Sequence, residues 1–145
     1  MDNVEILLVE DNINDAELTI RVLKKNNLSS NLIHVKDGAE ALNFIYCKGD
    51  YIERDSKALP KLILLDLKMP KIDGLEVLKV LKSDQDTKHI PVVILTSSKE
   101  EKDLMESYHL GANSYIQKPV EFEKFVKSIS DIGMYWLILN QNVNK

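Results

Sequence analysis

The chain has a single cysteine, Cys47, among its 145 residues. An intramolecular disulfide is thereby excluded, and the composition fits a reducing compartment, the cytoplasm. Histidine is sparse too. His34, His89 and His109 show no pairing at metal-ligand spacing, and each reads as a solvated or partly packed side chain. No apolar run approaches the length of a membrane span. The acidic start, Met1-Asp2-Asn3-Val4-Glu5, leads directly into a strand rather than into a signal peptide. Positive charge is not in excess: 19 Lys and Arg face 23 Asp and Glu, a net charge of −4. That balance offers nothing to attract nucleic acid or an anionic membrane surface. Internal repeats, low-complexity segments and interdomain linkers are missing as well. A hydrophobic fraction of 44% over this length suits one domain with a real core. We expect it to span 1–145, with a core over about 4–132 and a C-terminal helix extension and tail over 133–145.

What is present is a set of apolar strands that end in polar groups. Ile6-Leu7-Leu8-Val9 ends in Glu10 and Asp11, and Leu62-Ile63-Leu64-Leu65 ends in Asp66. Val92-Val93-Ile94-Leu95 ends in Thr96, and Ser114-Tyr115-Ile116-Gln117 ends in Lys118-Pro119. Helical spacing fills the intervals. Ala16, Ile20 and Leu23 mark a helix near 14–26, with Asn12 or Asn14 able to cap it. After a strand near 31–36, Ala41, Leu42 and Ile45 mark a helix near 38–47. Leu75, Leu78 and Leu81 mark one near 74–83. A charged helix over about 99–110 has Leu104, Met105 and Tyr108 on its expected inner side. Phe122, Phe125, Ile129 and Ile132 stripe a last helix near 121–139. Continuous Ile/Leu/Val strands predict burial on both faces, and five successive βα units predict a doubly wound α/β fold. Ligands of such folds bind at the carboxyl edge of the sheet.

These pieces, in this order, resemble the receiver domain of two-component response regulators over nearly the whole chain. The resemblance is carried by Leu8-Val9-Glu10-Asp11-Asn12, Leu64-Leu65-Asp66-Leu67-Lys68-Met69-Pro70, Asp73-Gly74, Val93-Ile94-Leu95-Thr96-Ser97, Gly111-Ala112 and Tyr115-Ile116-Gln117-Lys118-Pro119. It implies a flavodoxin-like, five-stranded parallel sheet of order 2-1-3-4-5 with five helices. It implies a stand-alone switch in a phosphorelay, with phosphorylation on Asp66 by a histidine kinase phosphohistidine or a phosphotransfer protein. Metal ligation would fall to Asp11, Asp66 and the backbone carbonyl of Lys68, with Glu10 acting through water. Thr96 and Lys118 would bind the phosphoryl group, Tyr115 would report its arrival by swinging inward, and the bond before Pro119 would be cis. The surface switched would be the face of helix 4, strand 5 and helix 5. The protein would assist its own phosphorylation and dephosphorylation without being an enzyme in its own right.

The residues support these expectations chemically. Each like-charge contact among Glu10, Asp11 and Asp66 would cost about 4 kcal/mol at an effective dielectric of about 20. Such a cluster calls for a cation or for raised pKa values. Oxygen-only donors select a hard ion, Mg²⁺ or Mn²⁺, over zinc. Carboxylates form acyl phosphates, and Lys118 offers a compact ammonium to the phosphoryl group. Taken singly, Thr96 is an ordinary strand-end β-former, Tyr115 a half-buried strand tyrosine, and Asp73 an N-cap for the helix after it. Gly74 permits a tight start to that helix. Two rival chemistries fit less well. A phosphatase with a strand-end aspartate would need a second acid where Lys68 stands, and Glu10-Asp11 would repel the phosphate of a flavin nucleotide.

Two stretches exceed the minimal pattern: the connection over 48–60, whose length is unusual, and the apolar band Met134-Tyr135-Trp136-Leu137-Ile138-Leu139. The band reads either as extra packing or as a homodimer or target surface. Both features resemble receivers paired with bacterial phytochrome-type kinases. With 26 residues after Pro119, no room is expected for a DNA-binding or enzymatic output domain, so output would pass through protein contact.

Overall fold

Why five short strands should build this sheet is clear from their burial. In the computed structural model, residues 5–25, 31–67, 69, 72–97 and 101–131 are described. Strands β1 (Ile6–Val9), β3 (Leu62–Asp66) and β4 (Val92–Thr96) are buried at every position. Such runs are stable only where helices cover both faces of a parallel sheet. β2 (Leu32–Val35) and β5 (Ser114–Gln117) are partly exposed, as edge strands must be. The order is β2-β1-β3-β4-β5, all parallel.

Alternation along each strand divides the interior in two. Leu7, Val9, Ile63, Leu65, Val92 and Ile94 meet Ala41, Phe44 and Ile45 of α2 (Gly38–Tyr46) and Val77, Leu78 and Leu81 of α3 (Gly74–Ser83). Ile6, Leu8, Leu62, Leu64, Val93, Leu95 and Ile116 meet Ala16 and Leu23 of α1 (Ile13–Lys25) and Phe125 of α5 (Phe122–Asp131). A one-residue slip of any strand would exchange these sets, which pins the register. Helix starts are capped by short acids and amides. Asn12 Oδ1 accepts the Asp15 N–H at 3.0 Å, which selects Asn12 over Asn14 as the cap of α1. Asp37 and Asp73 accept the N–H groups of Glu40 and Glu76 at the starts of α2 and α3.

One helix faces otherwise than expected. In α4 (Glu101–His109), Met105 and Tyr108 are 63% and 48% exposed. The stripe turned inward is half-buried Leu104 with fully buried Ser107, whose hydroxyl donates to the Leu104 carbonyl. At about 100° per residue, Met105 and Tyr108 lie off that stripe. Apolar identity alone did not choose the face.

The connection over 48–60 is folded. A single 3₁₀ turn, Gly49–Tyr51, stacks the Tyr51 ring edge-on against Phe44, with centroids 5.1 Å apart. Arg54 lies over the Phe44 ring, 3.7 Å from its centroid. Its guanidinium donates to the carbonyls of Phe44 and Ala58. The side chains of Ile129 and Asp131 and the whole of 132–145, including the apolar band at 134–139, lie outside the described residues.

Candidate functional site

Strand order reverses between β1 and β3: the chain leaves β1 toward β2 on one side and leaves β3 toward β4 on the other. Neighbouring connections therefore diverge, and a crevice opens at the carboxyl ends of β1 and β3. Glu10 and Asp11 follow β1 directly, and Asp66 is the last residue of β3. Carboxylate oxygens of Glu10, Asp11 and Asp66 lie within 4.8 Å of one another. Glu10 is fully buried and Asp66 is 3% exposed, while Asp11 faces solvent.

Lys118 reaches the same place from the loop after β5. Its Nζ lies 2.6 Å from Glu10 Oε1 and 3.4 Å from Asp66 Oδ1, with the lysine side chain 11% exposed. The Lys118 N–H donates to the Thr96 carbonyl at 2.8 Å, so β4 carries the lysine as well as the threonine. The Lys118–Pro119 bond is cis. Thr96 is fully buried at the end of β4. Tyr115 is half-buried and packs on the α2–α3 side of the sheet, two residues along β5 from Gln117. The Lys68 carbonyl falls outside the described residues.

The electrostatics follow from this crowding. Burial, and then the charge of Glu10, push the Asp66 carboxyl up to about 7, against the pull of Lys118. Burial disfavours the Lys118 ammonium, yet bonding to Glu10 and Asp15 and the nearby charges of Asp66 and Glu10 outweigh it. Its pKa therefore lies above that of an ordinary lysine. Glu10 Oε1 is fully buried with the Lys118 ammonium 2.6 Å away. A crevice of three carboxylates that share one ammonium fits a hard divalent cation.

Two supports were not evident from the sequence. The His34 ring lies with Nε2 2.8 Å from the Glu10 carbonyl; a carbonyl only accepts, so this nitrogen carries the proton. His34 is thus partly packed. Asp15, in the first turn of α1, accepts from Lys118 at 3.0 Å. Its only advance signal was an acid three residues after a capping asparagine. Gly74, conversely, was legible: a Cβ there would overlap the Asp66 carbonyl oxygen and Leu67 Cα. α3 thus starts against the backbone that carries the acceptor candidate.

A sheet of this order with an acid cluster and a lysine at its switch point defines a class. Residues 6–130 match the response regulator receiver domain family, and the chain belongs to it. The chain is 42% identical over 132 residues to the response regulator Rcp1 of Synechocystis sp., covering 91% of this chain and 88% of Rcp1. The solved Mn²⁺-bound form of Rcp1 superposes with a TM-score of 0.75 at 41% identity, covering 94% of this chain and 95% of that one. The bacteriophytochrome response regulator AtBRR superposes with a TM-score of 0.84 at 48% identity, covering 94% of this chain and 96% of AtBRR. The flavodoxin-like receiver fold and the response-regulator function expected from the sequence both stand.

Proposed function

We propose that this response regulator takes its phosphoryl group on Asp66. A carboxylate oxygen of Asp66 attacks phosphorus in a phosphohistidine. The new O–P bond forms as the P–N bond breaks, and the electron pair leaves with the donor imidazole. Water later attacks the acyl phosphate, releasing inorganic phosphate and restoring the carboxylate. Lys118 balances charge on the transferred group, the Thr96 hydroxyl donates to one of its oxygens, and Tyr115 moves inward as that hydroxyl shifts. The two-state face of α4, β5 and α5 then presents a different surface to its target. Asp11, Asp66 and the Lys68 carbonyl, with Glu10 through water, would hold Mg²⁺ or Mn²⁺, which when bound neutralises charge on the phosphoryl oxygens.

The observation that carries this reading is the meeting of three carboxylates within 4.8 Å, one of them 3.4 Å from a lysine whose side chain is 11% exposed. No other group of three or more acids, histidines or cysteines among the described residues comes together in this way. Similarity to a bacteriophytochrome response regulator supports a phytochrome-type sensor histidine kinase as the donor, directly or through a phosphotransfer protein. We place the protein in the cytoplasm. No helix among the described residues is long and apolar enough to cross a membrane. We further propose that the band at 134–139 takes part in self-association or target binding, together with α4, β5 and α5.

Incubation with acetyl phosphate and Mg²⁺ tests the assignment. We expect one acid-labile and base-labile phosphoryl group per chain, absent from Asp66→Asn and from samples with excess chelator. Equal labelling of wild type and Asp66→Asn would refute Asp66 as the acceptor.

A further inference from the structure

Lys118 is held by more than the three-carboxylate crevice. Its Nζ lies 2.6 Å from Glu10, 3.0 Å from Asp15 and 3.4 Å from Asp66. Asp15 stands outside the acid cluster and is fixed by a short run of hydrogen bonds. Glu10 Oε2 accepts the Asn12 N–H at 3.2 Å, and Asn12 Oδ1 accepts the Asp15 N–H at 3.0 Å. Asp15 Oδ2 then accepts from Lys118, whose ammonium returns to Glu10. The ring closes across the β1–α1 corner and the loop after β5.

An ammonium has three protons, and three carboxylates already surround this one. A dianionic group on Asp66 replaces that residue's own carboxylate as a partner of the ammonium and, lying one bond farther out, competes for it with Glu10 and Asp15. Burial decides which partner yields. The Glu10 side chain is 0% exposed and that of Asp15 is 36% exposed. Released, Asp15 is solvated through the narrow cleft it lines with Leu18, Thr19, Pro119 and Val120. Glu10, released, would remain a charge buried without its partner, a far costlier state.

We infer that Asp15 is a positioning residue that retains Lys118 in the resting protein and surrenders it to the group carried by Asp66. Asp15 thereby stabilises the resting state relative to the phosphorylated one. The inference rests on Asp66 being the acceptor. Asp15 biases the switch through Lys118, without touching the transferred group.

The test is a beryllofluoride titration of the full chain at saturating Mg²⁺, followed by ¹⁹F NMR, in a double-mutant cycle. Asp15→Asn should lower the half-saturating concentration about fivefold, the low end of coupling between sites, and Asp15→Glu should restore the wild-type value. In a Lys118→Met background, Asp15→Asn should change nothing. An equal effect in both backgrounds would mean direct charge repulsion and would overturn the inference, as would no effect with Lys118 intact. The ¹³Cγ resonance of Asp15 in the wild type gives a reading independent of any variant's folding. It should move on beryllofluoride binding toward that of a solvated carboxylate, and a fixed resonance would overturn the inference. A wild type that takes up no beryllofluoride would overturn the acceptor assignment itself.

Discussion

Two regions of this molecule bury charge, and they do so in opposite ways. Around the α2–β3 connection, each charged group has neutral partners of its own. Arg54 has two carbonyls and the face of Phe44. Glu40 accepts the Lys36 N–H at 2.8 Å with one oxygen and the Tyr51 hydroxyl at 2.6 Å with the other. Burial and that bond to Glu40 hold the Tyr51 phenol up to about 12, fully protonated as a donor. At the carboxyl edge, one ammonium serves Glu10, Asp15 and Asp66, with Asp11 close by. The first arrangement is complete within the chain and holds a long loop in place. The second, among the described residues, is short of positive charge, which suits the cation and the phosphoryl donor proposed to bind there. Unbalanced burial marks function and balanced burial marks structure.

The largest stability effect that would break this contrast concerns pH. Asp66 titrates near 7 when folded, against 3.8 as its ordinary value. Between those values the folded protein binds more protons than the unfolded one, so stability falls as pH rises from about 4 to about 7. Asp66→Asn removes this slope. We expect the metal-free variant to be more stable than wild type at pH 8, by on the order of 3 kcal/mol, in urea unfolding. Mg²⁺ should then stabilise wild type and leave the variant nearly unmoved. A variant no more stable than wild type, at any pH, would show that the crevice is not short of positive charge.

A smaller effect is expected at the balanced region. Arg54→Ala removes a cation–π contact and two charge-assisted bonds to carbonyls, at a cost of about 2 kcal/mol. Phosphoryl uptake from acetyl phosphate should be unchanged. If uptake fell in step with the denaturation midpoint, the two regions would not be separable. Smallest is the cap that joins neither: Asp73→Ala should cost about 1 kcal/mol. Because α3 begins against the Asp66 carbonyl, a modest slowing of uptake should accompany it, measurable in the same labelling assay.

Most of the fold was legible because strand and helix periods differ. The apolar runs over 6–9, 62–65 and 92–95 fall within β1, β3 and β4, and their unbroken hydrophobicity announced a sheet covered on both sides. Glu10, Asp11, Asp66 and Lys118 were legible for a related reason: each ends or follows a strand, and parallel strands all end at one edge. Periodicity could not orient α4. Its apolar residues are few, and packing buried Ser107 while leaving Met105 and Tyr108 outside. Nor could it reveal the clamp at Arg54. A cation over an aromatic ring is a contact between residues ten apart across a loop, and no spacing rule anticipates it.

Sequence by itself determined which chemical groups reach the carboxyl edge, since strand length and alternation follow from local hydrophobic pattern. Tertiary structure alone decided how those groups share charge. Lys118 and Asp15 are 103 residues apart along the chain, and only the folding of β5 beside β4 brings the ammonium among its three acids. Distance and burial set the strength of an electrostatic contact, and neither is written in the order of the residues.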